Sequence, residues 1–435
     1  MKHEQFETTV ESLSHDGRGV AAHNKKTTFI SGALPTEKVI CKITHTHRRY
    51  NEAQVVDVIT RAPDRVDPAC VHYSVCGGCS MQHIEAEAQV RIKQEALLNQ
   101  LKHFGKIAPD EILPTIMGHP WGYRRKARLG VRYVIKKEKL LVGFREKFSN
   151  YLAEIDTCKV LHPSVGERLV ALGTLVRGLS QYDQIPQIEV AVSDETTALV
   201  IRHMAPFSES DLAALCEFGR EHQFAIYLQP DSNDSVHKIF PLSDDDLLRY
   251  FLPDYQLEMQ FHPLDFTQVN AEINREMIAA AIRLLDLQST DHVLDLFCGL
   301  GNFTLPIARF AKQVVGIEGS TQMVDRATAN ALHNNITNTE FYAANLMQPS
   351  ETAGWLKMPY DKILLDPPRT GAKEIIPFIA NKSAKRIVYV SCNPATLARD
   401  AGELVYTHGY KLKKVGVINM FPHTSHIEAI ALFEK

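Results

Sequence analysis

A cysteine that follows a strand-like run is the residue of this chain best placed to act as a nucleophile. Residues 386–391 read RIVYVS, and Cys392 comes next, before the turn-forming pair Asn393 and Pro394. A lone cysteine in such a place is commonly a small buried apolar group. Parallel α/β sheets, however, bind their ligands at the carboxyl ends of the strands, which favours a reactive role. We therefore predict that Cys392 is a nucleophile.

Methylation at C5 of a pyrimidine is a reaction that such a thiolate could serve. C5 of uracil is a weak nucleophile, but addition of a thiolate to C6 converts the ring into an enolate whose C5 attacks a methyl group. A general base must then remove the C5 proton. Our candidate for this base is Glu428, at the start of the closing strand. Glu428 could instead be a solvated residue at the edge of the sheet. His423 and His426 are alternative candidates for the base.

A glycine-containing loop could hold the methyl donor. The strand-like run HVLDLF leads into residues 298–302, CGLGN, and then into a helix. Glycines let the backbone approach a ligand closely, and a helix N-terminus offers free N–H groups. Glu318 ends the next strand, nineteen residues after Gly299, where it could accept hydrogen bonds from ribose hydroxyls.

Two cofactors compete for this loop. A dinucleotide site would have a third glycine where Thr304 stands, and Asp295 would lie unfavourably beside a pyrophosphate. S-adenosylmethionine is cationic and carries no phosphate, so it suits both residues better. A nicotinamide dinucleotide remains the alternative.

The fourth strand of the same region ends in a second loop, Asp366-Pro367-Pro368-Arg369. This loop would lie at the edge where substrate meets cofactor. Methyltransferases that act on amino groups of nucleic acids carry an aromatic residue after the prolines, on which the base stacks. Arg369 takes that position here, which indicates a different target atom, although a plain strand-ending turn is the alternative interpretation.

Three cysteines form a cluster with the spacing C-x5-C-x2-C: Cys70, Cys76 and Cys79. Cys158 could supply a fourth thiolate. Such a set can hold zinc or an iron–sulfur cluster, and His72 and His83 leave a three-cysteine, one-histidine zinc site open. Coincidental buried cysteines are the remaining alternative. The eight cysteines are not expected to form disulfides in a reducing cytosol.

A strongly basic stretch lies in the middle of a nearly neutral chain. The net charge is −3, but residues 121–150 hold ten lysines and arginines against two glutamates, a local net of 10 − 2 = +8. We predict that this stretch contacts RNA phosphates, with Arg124, Arg125 and Lys126 among the contacts. A solvated charged face is the alternative interpretation.

The element pattern predicts three units that would position these residues. Five short strands within residues 5–60 indicate an OB-like β-barrel, and a linker and a helix over residues 84–104 follow. Residues 120–260 mix strand-like and helical runs, as in an α+β domain. After Pro263 strands and helices alternate, which predicts an α/β, doubly wound, Rossmann-like sheet. We set the domain boundaries at 1–61, 62–262 and 263–435.

Composition excludes several classes of protein. With 45% hydrophobic and 23% charged residues the chain is typical of globular proteins. No run of 18 apolar residues is present, and the start, MKHEQFETTV, lacks the features of a secretory leader. We therefore expect a cytoplasmic protein without a membrane partner, and a monomer.

Taken as a set, the motifs resemble those of the RNA uracil-C5-methyltransferases. They are DLFCGLGNFTLP, DPPRTG, VSCNPATLARD, HIE and the upstream FTQVN, in which Thr267 stands where an aromatic residue is frequent. The resemblance implies that Cys392 is the nucleophile and Glu428 the base. It further implies contacts to S-adenosylmethionine from six residues: Gln268, Phe297, Asn302, Glu318, Asn345 and Asp366.

The remaining regions resemble the branch of this family that modifies 23S ribosomal RNA. The N-terminal strands are similar to a TRAM domain, and the cysteine spacing is similar to a [4Fe–4S] site held by Cys70, Cys76, Cys79 and Cys158. The resemblance implies methylation of a specific uridine of 23S rRNA, uridine 1939 in the usual numbering. Another rRNA or tRNA uridine, an iron–sulfur nicotinamide oxidoreductase and a non-enzymatic RNA-binding assembly factor are the alternatives.

Overall fold

The computed structural model describes residues 5–14, 16–243, 245–350, 352–380 and 384–435. Within these ranges the strands form a six-stranded sheet, a second six-stranded sheet, a two-stranded hairpin and an eight-stranded sheet. None of the helices in these ranges combines the length and the apolar composition needed to cross a bilayer.

The N-terminal sheet is a small barrel, as the strand spacing predicts. Its strands are β1 (Gln5–Thr9), β2 (Ser12–Leu13), β3 (Gly19–His23), β4 (Lys26–Ser31), β5 (Lys38–Thr46) and β6 (Tyr50–Thr60). The order β1-β5-β6-β4-β3-β2 closes the sheet, because β1 and β2 are two parts of one segment interrupted at Val10 and Glu11. Cys41 is fully buried in this core.

Helix α1 (Ala86–Gln100) joins the barrel to the C-terminal sheet. Its last turn runs on as a π-helical segment, Leu101–Gly105, where a side chain on Gly105 would collide with the carbonyl oxygen of Ala398 at 2.7 Å. Leu97 and Leu101 are buried in the core of the C-terminal sheet. The helix predicted over residues 84–104 therefore forms, and it packs on the C-terminal sheet.

The central region is a mixed sheet with helices on it. The elements from residue 111 to residue 261 are β7 (Glu111–Ile112), β8 (Lys126–Val134), β9 (Lys139–Gly143), α2 (Pro163–Gly166), α3 (Leu169–Gly178), β10 (Gln187–Val192), β11 (Thr197–Arg202), α4 (Glu209–His222), β12 (Phe224–Gln229), β13 (His237–Phe240), β14 (Leu248–Leu252) and β15 (Leu257–Phe261). The order of the strands in the central sheet is β13-β12-β11-β10-β8-β9.

The C-terminal region is the predicted doubly wound sheet. Its elements are α5 (Ala271–Leu285), β16 (His292–Leu296), α6 (Thr304–Ala308), β17 (Gln313–Glu318), α7 (Thr321–His333), β18 (Thr339–Ala343), β19 (Lys362–Leu365), α8 (Ile376–Ala380), β20 (Arg386–Ser391), α9 (Pro394–Tyr406), β21 (Lys411–Ile418) and β22 (Glu428–Glu434). The order is β18-β17-β16-β19-β20-β22-β21-β7. Strands β16 to β20 are parallel, and β22 returns antiparallel to β20.

Two apolar cores cover the faces of this sheet. One contains residues of α1, α8 and α9, and the other contains residues of α5, α6 and the β14–β15 hairpin. Since both faces are buried, the strands read as nearly continuous apolar runs. The polar residues singled out above therefore concentrate at the carboxyl ends of the strands.

Candidate active site

Cys392 lines a cavity of about 350 Å³ at the carboxyl end of β20. The cavity is also lined by Arg369, His426 and, from the barrel, Asp16. Asn393 caps α9 by accepting a hydrogen bond from the amide of Ala395 at 3.1 Å, so the chain turns sharply after Cys392. Burial, with the charges of neighbouring carboxylates, raises the pKa of the Cys392 thiol, and Arg369 opposes this rise.

Glu428 stands opposite Cys392 on the neighbouring strand. The antiparallel register of β20 and β22 pairs Ser391 with Ala429, so the next step along both strands brings Cys392 and Glu428 side by side. Glu428 is buried, and its Oε2 has no hydrogen-bond partner among the described residues. Burial raises the pKa of Glu428 to about 8; the charge of Asp366 adds to the rise and that of Lys93 opposes it.

The structure separates the two rival histidines. His426 lines the Cys392 cavity, and its Nδ1 lies 3.5 Å from Nη2 of Arg369. His423 is instead buried against Trp121, with their rings stacked at 3.8 Å and 24°. Burial lowers the pKa of both imidazoles, that of His423 to about 4, so both are neutral at pH 7.

Lys93 is a buried residue near this site that the sequence analysis did not identify. It lies on α1, and its Nζ donates hydrogen bonds to Oδ1 of Asn419 at 2.8 Å and to the carbonyl oxygen of Phe421 at 2.9 Å. Burial lowers the pKa of Lys93 to about 7, and the charge of Glu428 opposes this. A lysine inside the apolar stripe of a predicted helix is the only sequence signal that could have indicated it.

The glycine loop has the geometry expected of a cofactor loop. Gly299 and Gly301 both have positive φ, +55° and +94°, which favours glycine over other residues. The carboxylate of Glu318 accepts hydrogen bonds from the amides of Gly299 at 3.1 Å, Gly319 at 2.7 Å and Ser320 at 3.1 Å. These bonds fix Glu318 directly over the loop.

Asp295 and Thr304, which disfavour a dinucleotide, contact each other beneath this loop. The Thr304 hydroxyl donates to Oδ2 of Asp295 at 2.5 Å, and Oδ1 of Asp295 is buried without a partner among the described residues. Burial raises the pKa of Asp295 to about 7, opposed by the Thr304 hydrogen bond and augmented by Asp366 and Glu318. A cationic ligand is the natural counterpart of such a group of acids.

The other residues predicted to contact the cofactor lie around the same edge, with different surroundings. Asn302 is engaged by Tyr250, whose hydroxyl donates to it at 2.9 Å, and by a two-way amide pair with Asn274. Phe297 has a positive φ of 66° at the end of β16. Gln268 is half-buried, and Asn345, which follows β18, is exposed. Burial raises the pKa of Asp366 to about 7.

The four cysteines of the predicted cluster line one cavity of about 400 Å³. Burial raises the pKa of Cys76, Cys79 and Cys158, and charges on the other cysteines add to this rise. Within the described ranges, no group of three or more His, Cys, Asp or Glu side chains has the geometry of a metal site. The four cysteines therefore share a cavity and have the thiol chemistry of metal ligands, but the structure does not arrange them as a closed metal site.

The structure corrects the expectation for part of the basic stretch. Arg125 forms an ion pair with Asp194, and Nζ of Lys126 donates to the carbonyl oxygens of Pro263 and Asp265, the latter at 2.9 Å. Burial lowers the pKa of Lys126 to about 8. Both side chains thus have partners within the protein, Arg125 in the central region and Lys126 at the start of the C-terminal region, so they are not free phosphate contacts. Arg124 lines the cysteine cavity.

Two other basic residues of the stretch remain available to RNA. Arg132 and Lys136 are exposed and form no ion pair with the residues that the structure describes. Replacing both by alanine should reduce the slope of log binding constant against log salt by about 1.4, because each lost contact to single-stranded RNA contributes about 0.7. Filter binding over a salt series measures this slope. Arg220→Ala, on α4, is the control, and an unchanged slope in the double variant would identify the stretch as a solvated face.

The doubly wound sheet, the glycine loop and the acids at the strand ends define an S-adenosylmethionine-dependent methyltransferase. The crystal structure of Pyrococcus abyssi tRNA (uracil-54, C5)-methyltransferase in complex with S-adenosyl-L-homocysteine is similar over 98% of this chain and 99% of that chain. The TM-score is 0.74 and the sequence identity 22%, so the two proteins share a fold.

Sequence comparison then identifies the family. A model of the tRNA (Uracil-5-)-methyltransferase family matches residues 235–435, and a TRAM domain model matches residues 1–56. The 23S rRNA (uracil(1939)-C(5))-methyltransferase RlmD of Hahella chejuensis is 54% identical, over 99% of this chain and 98% of its own. That of Alkalilimnicola ehrlichii is 50% identical, over 99% and 97%. The chain belongs to the RNA uracil-C5-methyltransferase family, which confirms the resemblance drawn from its motifs and favours S-adenosylmethionine over a nicotinamide cofactor.

Proposed function

We propose that this protein methylates C5 of uridine 1939 in 23S ribosomal RNA, the reaction for which its relatives are named. The observation that carries the proposal is the register of β20 and β22, which sets Cys392 beside Glu428 at the carboxyl edge of the sheet. A nucleophile and a base side by side are what C5 methylation requires.

Each proton in the reaction has a place to go. The thiol of Cys392 gives its proton to solvent and adds as the thiolate to C6 of the uracil, and Arg369 in the same cavity favours this charged form. The electron pair passes to the ring, and C5 takes the methyl group. Glu428 then removes the C5 proton, the C6–S bond breaks, and the thiolate of Cys392 leaves.

S-adenosylmethionine, when bound, would supply the methyl group, and its S–CH3 bond would break so that it leaves as the neutral thioether S-adenosylhomocysteine. We propose that Gln268, Phe297, Asn302, Glu318, Asn345 and Asp366 hold it, as the motifs imply. The fixed carboxylate of Glu318 over the glycine loop supports this assignment. The uridine would have to leave its stack for C6 to reach Cys392 in its cavity.

Mapping of 5-methyluridine in 23S rRNA tests the proposed function. A strain that lacks the gene should lose this modification at position 1939 alone, and purified protein should restore it on RNA from that strain. Loss at another rRNA position or in tRNA would assign a different uridine. Retention of every 5-methyluridine would contradict the proposal.

We further propose that Cys70, Cys76, Cys79 and Cys158 hold a [4Fe–4S] cluster. Their shared cavity and soft thiolate character support it. Methyl transfer moves no electrons between redox partners, so the centre would be structural and would tie residues 70–79 to Cys158.

We also propose that the chain divides into three units, residues 1–61, 62–262 and 263–435. We propose in addition that the protein is cytoplasmic and monomeric.

Metal analysis distinguishes the two candidate centres. Protein purified without oxygen should be brown and contain about four irons per chain, as a [4Fe–4S] centre does. Cys158→Ser should lower the iron content, whereas Cys216→Ser, outside the cysteine cavity, should leave it unchanged. Colourless protein with one zinc per chain would contradict the iron–sulfur assignment.

A further inference from the structure

Two loops from distant parts of the chain are joined beside the catalytic pair. The base loop, residues 419–427, connects β21 to β22 and leads directly into Glu428. The cysteine loop, residues 70–81, carries three of the clustered cysteines. We propose that the cysteine loop, through Ser80, positions the base loop so that Glu428 can take the C5 proton; this inference rests on the function proposed above.

Direct hydrogen bonds join the two loops. The amides of Ser80 and Met81 both donate to the carbonyl oxygen of His423, at 3.0 and 2.9 Å. In return, the amide of Ser425 donates to Oγ of Ser80 at 3.0 Å. Ser80 follows Cys79 in the chain, so a shift of the cysteines would be transmitted to the base loop within one residue.

The rest of the base loop is held by neighbouring elements. Gln89 of α1 accepts from the His423 amide at 2.9 Å, and its Nε2 lies 3.2 Å from Nδ1 of that residue. The Tyr123 hydroxyl donates to the carbonyl oxygen of Pro422 at 3.0 Å. His423 has a φ of +64°, which a residue with a side chain rarely adopts unless its surroundings hold it there.

The base loop also separates the two cavities. Ser425 and His426 line the cysteine cavity on one side and the Cys392 cavity on the other. The hydrogen bond that Oγ of Ser80 accepts from the Ser425 amide involves a side chain, so a small substitution at Ser80 can remove it. Ser80 is exposed overall, so a methyl group can be added at its Cβ.

The consequence of this arrangement is specific to one step of the reaction. Addition of Cys392 and transfer of the methyl group precede removal of the C5 proton, and neither depends on the position of Glu428. Loosening the base loop should therefore slow proton removal and prolong the covalent RNA adduct. Ser80 is thus a positioning residue, which acts on Glu428 through the base loop.

Comparison of two isotope readouts tests the inference. Methyl incorporation from labelled S-adenosylmethionine reports the earlier step, and tritium release from RNA containing [5-³H]uridine reports proton removal. In Ser80→Ala, tritium release should fall by about fivefold relative to methyl incorporation, as expected for loss of one hydrogen bond, and the covalent adduct should accumulate. Ser80→Thr, which keeps the hydroxyl, should restore the normal ratio, and Ser74→Ala in the same loop is the matched control.

Hydrogen exchange gives a readout that is independent of activity. In the iron-loaded Ser80→Ala protein, amides of residues 421–427 should exchange faster, while those of β20 should not change. A normal ratio of tritium release to methyl incorporation, or an equal loss of both, would overturn the inference. If Glu428→Gln also accumulates no adduct, the proposed function itself is wrong.

Discussion

Replacement of Cys392 by alanine should abolish methyl transfer completely, and replacement of Glu428 by glutamine should stop the reaction one step later. Without the thiol, C5 of the uracil is not activated, so Cys392→Ala should bind RNA and yet neither methylate it nor form an adduct. In Glu428→Gln, addition and methyl transfer precede the missing proton removal. Methylated RNA should therefore remain attached to Cys392 and migrate with the protein in a denaturing gel.

The double variant provides the control for this prediction. Cys392→Ala combined with Glu428→Gln should show no adduct, because the bond in question is the one between the Cys392 sulfur and C6. His426→Ala should not trap methylated RNA if Glu428 is the base. Normal turnover by Glu428→Gln, or an adduct that survives loss of Cys392, would show that the base or the nucleophile is assigned to the wrong residue.

Release of methylated RNA should depend steeply on pH below about 8. Burial raises the pKa of Glu428 to about 8, and only the ionised carboxylate can accept the C5 proton. For a carboxyl with a raised pKa, the ionised fraction is nearly complete above that pKa and falls about tenfold for each pH unit below it. The rate of adduct breakdown at pH 6 should thus be about one hundredth of its plateau value above pH 9.

Single-turnover measurement of adduct lifetime isolates this step. The adduct is formed, the pH is then changed, and the decay of the gel band is followed. Glu428→Gln should decay slowly at every pH, which shows that the profile belongs to this carboxyl. A profile that levels off near pH 6 would indicate that the base titrates as an ordinary carboxyl or that a histidine performs the step.

Local patterns were sufficient to predict the fold and most of the elements. The alternation of apolar strands with helices after Pro263 predicts the doubly wound sheet, and turn signals every few residues predict the N-terminal barrel. Both signals depend on neighbours within one element, where side-chain periodicity and turn residues act directly on the backbone. The cysteine spacing and the glycine loop likewise lie within single loops.

Contacts between distant segments needed the tertiary structure. That Cys392 stands beside Glu428 follows from the antiparallel register of β20 and β22, and nothing within either strand specifies that register. Lys126 and Arg132 are both basic residues of one stretch, yet Lys126 donates to a carbonyl oxygen of the C-terminal region while Arg132 is exposed. Their roles differ because of what packs on each.

The sequence by itself determined the residue types that can do the chemistry and the sheet edge on which most of them lie. The tertiary structure alone decided which of them meet: it placed Lys93 near Glu428, buried His423 under Trp121, and joined the cysteine loop to the base loop. The physical reason is that hydrogen bonding, burial and charge depend on distance in space. Chain segments separated by more than 300 residues can share a contact that no local pattern records, as Gln89 and His423 do.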